Sequence, residues 1–351
     1  MSGETANIAL MAETISEKLF GWFRWERVGT TNQNFPCHKS KSHKAKSETH
    51  PCDVVFRYHD PYLNKYVYLN TDLKSYAKGS ITATTMRSAL ISLAESIDCA
   101  EGSPEWQESY QHAYGASEVR GMLFVYNHDG DFDQNFYDVF NTVPATDISK
   151  GKRGIDIDNI PITRGQKIHI IEPRTINYLQ SITSDIHKLA YEGGFPNGDD
   201  YQFYYPDLIL HKVNGLPCSL PATIESLTGP YFIIKHGEAF NFSNEGERKI
   251  THEPGYIIYY NGEGRTELEF IYIFDTLSKL QLLNDKCNIR LRLIHPNINH
   301  DVRAVYRKAI ECYVMEWGFD DYKRSVITDI EFSIIDFVKP RFSQTELGWR
   351  E

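Results

Sequence analysis

The chain contains no apolar run long enough to cross a bilayer, which excludes a membrane-spanning helix. It also contains no Gly-rich phosphate loop, no HExxH helix and no serine elbow, so the common motifs of nucleotide, zinc-protease and serine-hydrolase chemistry are missing. Its six cysteines (Cys37, Cys52, Cys99, Cys218, Cys287 and Cys312) show no paired spacing, and no basic stretch followed by an apolar signal core opens the chain. A reduced, cytoplasmic protein is therefore expected. Basic residues are in deficit: 37 Lys and Arg face 47 Asp and Glu, a formal charge of −10. Long-range repulsion at that charge argues against indiscriminate tight binding to a polyanion. Any nucleic-acid contact must then rest on local basicity or on a partner.

What is present is a folded chain. Hydrophobic residues make up 41% and aromatics 13% of 351 residues, enough for packed cores throughout and too long for one typical core. Strands and helices interleave, so an α/β (α+β) protein of two domains is expected, one at 1–145 and one at 166–351. The stretch from Pro144 to Gly165 replaces periodic hydrophobes with Pro, Gly and alternating charge and reads as the connection.

The most informative segment is Thr49-His50-Pro51-Cys52-Asp53-Val54-Val55-Phe56, followed after a polar turn by Tyr66 to Tyr76. Val54 to Phe56 and Tyr66 to Leu69 are β-rich runs, and Asp60-Pro61 with Asn64-Lys65 supplies turn chemistry between them, so an antiparallel pair follows. Asp53 opens the first strand. Asp72 and Lys74, two residues apart on the second, share one face because strand side chains alternate. Two carboxylates and an ammonium on one face suit phosphodiester hydrolysis. Carboxylates can hold Mg²⁺ or Mn²⁺ against a phosphate oxygen, and a lysine can orient a water or stabilise charge on phosphorus.

The spacing Asp53…Asp72-Leu73-Lys74 resembles the PD-(D/E)xK (restriction-endonuclease-like) nuclease superfamily, with the proline one position early at Pro51. The resemblance covers the amino-terminal part only. It implies a mixed sheet flanked by helices in the order helix, two strands, helix, strand, with catalytic Asp53, Asp72, Lys74 and Glu17 and with Asp53, Asp72, Leu73 and Glu17 holding the metal. Ala6 to Glu26 supplies the first helix, its stripe being Ile8, Met11, Ile15, Leu19, Trp22 and Phe23. Glu13 is the alternative to Glu17. Thr82 to Ile97 supplies the second helix and Gly121 to Tyr126 the next strand.

The segment from Phe35 to Lys46 carries Lys39, Lys41, Lys44 and Lys46 without intervening hydrophobes and reads as a basic loop. With His50 and Lys78 these lysines are the candidate nucleic-acid contacts, since neutralised phosphates release counterions. Cys37, His38, His43, His50 and Cys52 lie in the same stretch, but their spacing fits no standard zinc finger, and zinc is not assigned from it. Cys52 is expected in the core.

In the carboxy-terminal half, strands are expected at Lys167 to Ile171, Tyr201 to Leu210, Tyr231 to Lys235, Tyr256 to Tyr260, Leu268 to Phe274, Ile289 to Ile294 and Ile327 to Phe337. Helices are expected at Thr175 to Tyr191, Thr276 to Asn284 and His300 to Trp317, and Gly262-Glu263-Gly264 reads as a hairpin tip. No residue-level motif accompanies them. Recognition, regulation and oligomerisation through a second copy or a partner protein are all open for this half. The combined reading is a Mg²⁺- or Mn²⁺-dependent nuclease acting on nucleic acid, DNA before RNA, in restriction or antiviral defence. The competing reading is a non-catalytic nucleic-acid-binding or assembly module on the same scaffold.

Overall fold

The computed structural model describes residues 3–43, 47–140, 154–196, 198–206, 219–242, 246–284 and 288–338. The described residues form two compact units, one up to Ile176 and one from Asn177 to Val338. Among the described residues no helix is long and apolar enough to cross a membrane.

The first unit opens with α1 (Gly3–Trp22), which buries Ala12, Ile15, Ser16, Leu19 and Phe20. The side chains of Ile8 and Met11, expected on the same stripe, lie outside the described residues. The helix stops short of Glu26 because Arg24 takes a left-handed φ of 64°, and the chain turns into β1 (Glu26–Val28). There follow β2 (Gln33–Pro36), β3 (Thr49–Cys52), β4 (Val54–Asp60), β5 (Lys65–Tyr76), α2 (Ala83–Ala100), α3 (Pro104–Tyr110), β6 (Ser117–Asn127) and β7 (Ile168–Ile171). The main sheet runs β1-β4-β5-β6-β7, antiparallel as far as β5 and parallel beyond it. β2 and β3 form a separate antiparallel hairpin, so part of the expected basic loop is strand.

Helices cover both faces of this sheet. Phe20 of α1 meets Phe56 of β4 and Phe124 of β6 edge to face at 5.1 and 5.8 Å. On the opposite face α2 packs Met86, Leu90, Leu93 and Ile97 against Leu123 and Val125. Thr82 caps α2 through Thr85 in a capping box. Gly121 allows the close approach of this helix, since a Cβ there would stand 3.1 Å from Leu93 Cγ.

The expected interdomain connection needs correcting at its second half. Ile155 and Ile160 are buried in the core under α2, and β7 pairs with β6 from Gly121↔Ile168 to Phe124↔Ile171. The first unit therefore continues to Ile176 instead of closing at 145, because β6 would otherwise present an unpaired apolar edge. Residues 141–153 lie outside the described residues.

α4 (Pro173–Tyr191) leads into the second unit and buries Leu179, Ile182, Ile186 and Leu189, as its periodicity predicts. The unit contains β8 (Tyr201–Phe203), α5 (Ile224–Leu227), β9 (Tyr231–His236), β10 (Ala239–Phe242), β11 (Arg248–His252), β12 (Gly255–Tyr260), α6 (Glu267–Lys279), β13 (Asn288–Leu293), α7 (Val302–Trp317), α8 (Asp321–Thr328) and β14 (Glu331–Ile334). Its main sheet runs β14-β13-β12-β9-β8, and β10 pairs with β11 apart from it. Residues 207–210 of the strand expected at Tyr201 to Leu210 lie outside the described residues.

Three expectations fail here. Leu268 to Phe274 is helix, since Thr266 and Glu269 form a capping box and Phe270, Ile273, Phe274 and Leu277 are buried at helical spacing. Its β-branched and aromatic run favours strand locally, and packing overrides that preference. Gly262-Glu263-Gly264 accordingly joins β12 to α6 and is no hairpin tip. The strand expected from Ile327 begins only at Glu331, because Asp320 caps α8 and carries helix through Thr328.

Candidate active site

β4 and β5 pair from Val54↔Thr71 to Asp60↔Lys65, so β4 ends where β5 runs on for five more residues, Asp72 to Tyr76, along β6. At that open edge the Asp53 carboxylate accepts a 2.7 Å hydrogen bond from the Leu73 amide. A strand residue's N–H and C=O leave on the same edge, which puts the Leu73 carbonyl beside Asp53. The Asp53 carbonyl in turn accepts from the Asn32 amide at 2.7 Å. Backbone and side chain of Asp53 are thus both fixed.

Asn70, Asp72 and Lys74 alternate onto the face covered by α2, where Asn70 donates to Ser96 Oγ at 2.9 Å. Asp72 and Lys74 form an ion pair with side chains 15% and 31% exposed. Burial, and then the adjacent Asp53 charge, push the Asp72 carboxyl up to about 6, although Lys74 pulls the other way. Burial acts to lower the Lys74 pKa, but the Asp72 and Asp53 charges outweigh it and raise the ammonium above its ordinary value. Two carboxylates lie near one ammonium, which pairs with Asp72, and the ionisation of Asp72 is resisted. A site of that kind favours an added cation.

Sequence reasoning missed the polar support beneath these groups. Asn70 is buried and its Oδ1 accepts from Cys52 Sγ at 2.9 Å and from Trp106 Nε1 at 3.2 Å. Burial pushes the Cys52 thiol up to about 12, so it is an inert core donor, as its expected place in the core implies. Tyr76 also belongs to the site: burial raises its pKa, with Lys74 and Asp72 acting in opposite senses. The period-2 pattern from Asn70 to Tyr76 was the available signal.

The structure does not bring Glu17 to this group. Glu17 is ion-paired to Arg27 at 2.9 Å, and Glu13 lies 3.8 Å from the same guanidinium. Both sit on α1, across the sheet from Asp72. The helix facing Asp72 is α2, and its buried acid is Glu95, whose charge reaches His50. Spacing along α1 identified the helix stripe; it could not say which sheet face that stripe covers.

The expected nucleic-acid contacts divide. Lys41 is exposed, Lys39 is tied to Asp98 at 2.9 Å, Lys78 to Asp133 at 2.6 Å, and Lys44 and Lys46 lie outside the described residues. His50 is no surface contact: it is 4% exposed, and burial followed by neighbouring His43 holds its imidazole below the ordinary value. Its place on β3 at an inward position of the hairpin is the reason.

Residues 1–175 match the family model described as the GAPS4 protein PD-(D/E)XK nuclease domain. No curated protein and no solved structure matches the chain.

Proposed function

From an amino-terminal unit that is a PD-(D/E)XK nuclease domain, we propose that this protein is a Mg²⁺- or Mn²⁺-dependent nuclease that hydrolyses phosphodiester bonds, with DNA as the preferred substrate. The observation that carries this reading is the shared face of Asp53, Asp72 and Lys74, with the Asp72 carboxyl pushed up to about 6. Asp53, Asp72 and the Leu73 carbonyl are the groups that would hold the metal, a small oxygen set that leaves room for the waters Mg²⁺ retains. When bound, the metal supplies charge neutralisation at phosphate and a more acidic water. Lys74, an ammonium held beside Asp72, would keep its proton next to a bound phosphate and stabilise negative charge on it. The Asn70, Cys52 and Trp106 contacts keep the β5 face rigid under these groups. Exposed Lys41 is available for contact with the nucleic-acid phosphate backbone. By analogy with the superfamily alone, restriction or antiviral defence is the biological setting.

The test is cleavage of plasmid, single-stranded DNA and RNA with Mg²⁺, Mn²⁺ or a chelator. Expected are metal-dependent cutting, DNA ahead of RNA, and loss of at least 100-fold, on the order of one removed charge-stabilising donor, in Lys74→Ala with Mn²⁺ affinity largely kept. Undiminished cutting by Lys74→Ala and Asp72→Ala would refute the assignment of the site. Metal binding without cutting of any substrate would identify the non-catalytic scaffold instead.

A further inference from the structure

Outside the carboxylate site, four side chains converge that the sequence spreads over 63 positions, Cys37 to Cys99 inclusive. Cys37, His43, His50 and Cys99 each offer one ligand atom, and these atoms all lie within 4.8 Å of one another. We propose that they form a structural Zn²⁺ site that fastens the β2–β3 hairpin to the end of α2.

The geometry is that of a tetrahedral site before closure. Zn–S bonds of about 2.3 Å and Zn–N bonds of about 2.0–2.1 Å imply S···S separations of about 3.8 Å and S···N separations of about 3.5 Å. Cys37 Sγ lies 4.0 Å from Cys99 Sγ and 3.3 Å from His43 Nδ1, and the His43 and His50 rings are 5.2 Å apart. Among the described residues His50 Nε2 finds no hydrogen-bond partner, in a side chain 4% exposed. A buried ring nitrogen left unpaired is unfavourable by itself, and a metal satisfies it. His43 is oriented as metal-bound histidines are: Nδ1 faces the sulfur and Nε2 lies 3.2 Å from Asp98 Oδ2. Asp98 is itself anchored by Lys39 at 2.9 Å and by Thr163 at 3.3 Å.

Four protein ligands leave no open position, so the site is structural. His38 and Cys52, which share the sequence stretch, are not ligands: His38 pairs with Glu105 at 3.4 Å and Cys52 with Asn70. Binding would release the protons of both thiols, so zinc affinity falls with acidification. Because β3 runs from His50 through Cys52 directly into Asp53, the metal would also hold the strand that presents Asp53.

The test uses the full chain and zinc alone. Elemental analysis after dialysis should find close to one zinc per chain, retained in Asp72→Ala and lost in Cys99→Ser. Cobalt added to the chelator-stripped chain should give a thiolate charge-transfer band with tetrahedral visible absorption. Asp98→Asn should weaken zinc binding by about 10- to 100-fold. If Cys99→Ser does not fold, the conservative His43→Cys, which keeps four ligands, should still carry zinc. Substoichiometric zinc with no thiolate band for cobalt would overturn the site, as would a Cys37–Cys99 disulfide in freshly isolated protein.

Discussion

Asp72 is a carboxylate in tension with its surroundings, and the sign of that tension is measurable. Its folded pKa of about 6 lies above the ordinary 3.8, so its contribution to stability is present in acid and is lost as pH rises through about 6. Above that pH the metal-free fold carries an unfavourable buried charge. Asp72→Asn is therefore expected to stabilise the metal-free protein at pH 8 by about 1–3 kcal/mol, since each tenfold change in proton affinity corresponds to about 1.4 kcal/mol. Thermal melts in chelator check this, and a destabilised variant would contradict it. The same ionisation governs the cation: Mn²⁺ affinity in the wild type should fall as pH drops through about 6, and calorimetric titrations at pH 5.5 and 7.5 would register it. The Asp72→Asn substitution should abolish both the metal affinity and the stabilisation by Mn²⁺. At this scale the sequence was informative. Asp53, Asp72 and Lys74 are brought together by strand alternation and one antiparallel register, both local properties. The burial of His50 and the pairing of Lys39 with Asp98 were not legible, because the helix they meet, α2, lies far along the chain.

At the scale of elements, β5 and β6 are locked at their starts by an ion cluster. Glu118 pairs with Arg120 at 2.7 Å, Lys65 at 3.0 Å and Lys167 at 3.3 Å, and Arg120 is fully buried. Burial acts to raise the Glu118 pKa, but bonds from Lys65, Arg120 and Lys167 bring the carboxyl down to about 2. A depressed acid stabilises above its ordinary pKa and loses that contribution as pH falls towards 2. Glu118→Ala is expected to cost about 1–3 kcal/mol by removing the carboxylate that Arg120, Lys65 and Lys167 share. Chemical denaturation at pH 7 measures it, and the difference should shrink as both proteins are acidified. A second network stands in the other unit, where Asp185 of α4 binds Arg292 of β13 and Tyr259 of β12. Element types were legible where pattern and propensity agree, as in α2, α4 and α7. They failed at α6, where aromatic and β-branched residues suit a strand but the capping box and the 3–4 spacing of buried positions impose a helix.

For the whole molecule, the position of β7 decides where the chain can be cut. A fragment ending near Pro144 lacks β7, leaving the β6 edge bare, and also lacks buried Ile155 and Ile160. It should aggregate or melt without cooperativity, whereas a fragment ending at Ile176 should fold and bind Mn²⁺ as the full chain is proposed to. Calorimetric melting and analytical ultracentrifugation distinguish the two. A well-folded 1–144 fragment would show that β7 is dispensable. If the larger fragment cuts DNA with broader selectivity than the full chain, the second unit acts in targeting.

The sequence by itself determined the acid-x-lysine strand, the antiparallel pair that carries it and the amphipathic helices, because each depends on periodicity over fewer than about twenty residues. Tertiary structure alone decided which helix covers which face of the sheet. That placed Glu17 beside Arg27 and away from Asp72. It also brought Cys99 to Cys37, His43 and His50, a meeting that depends on α2 folding back across β3. Such contacts join residues whose separation along the chain carries no periodic signal, and only the packing of a helix on a sheet can produce them.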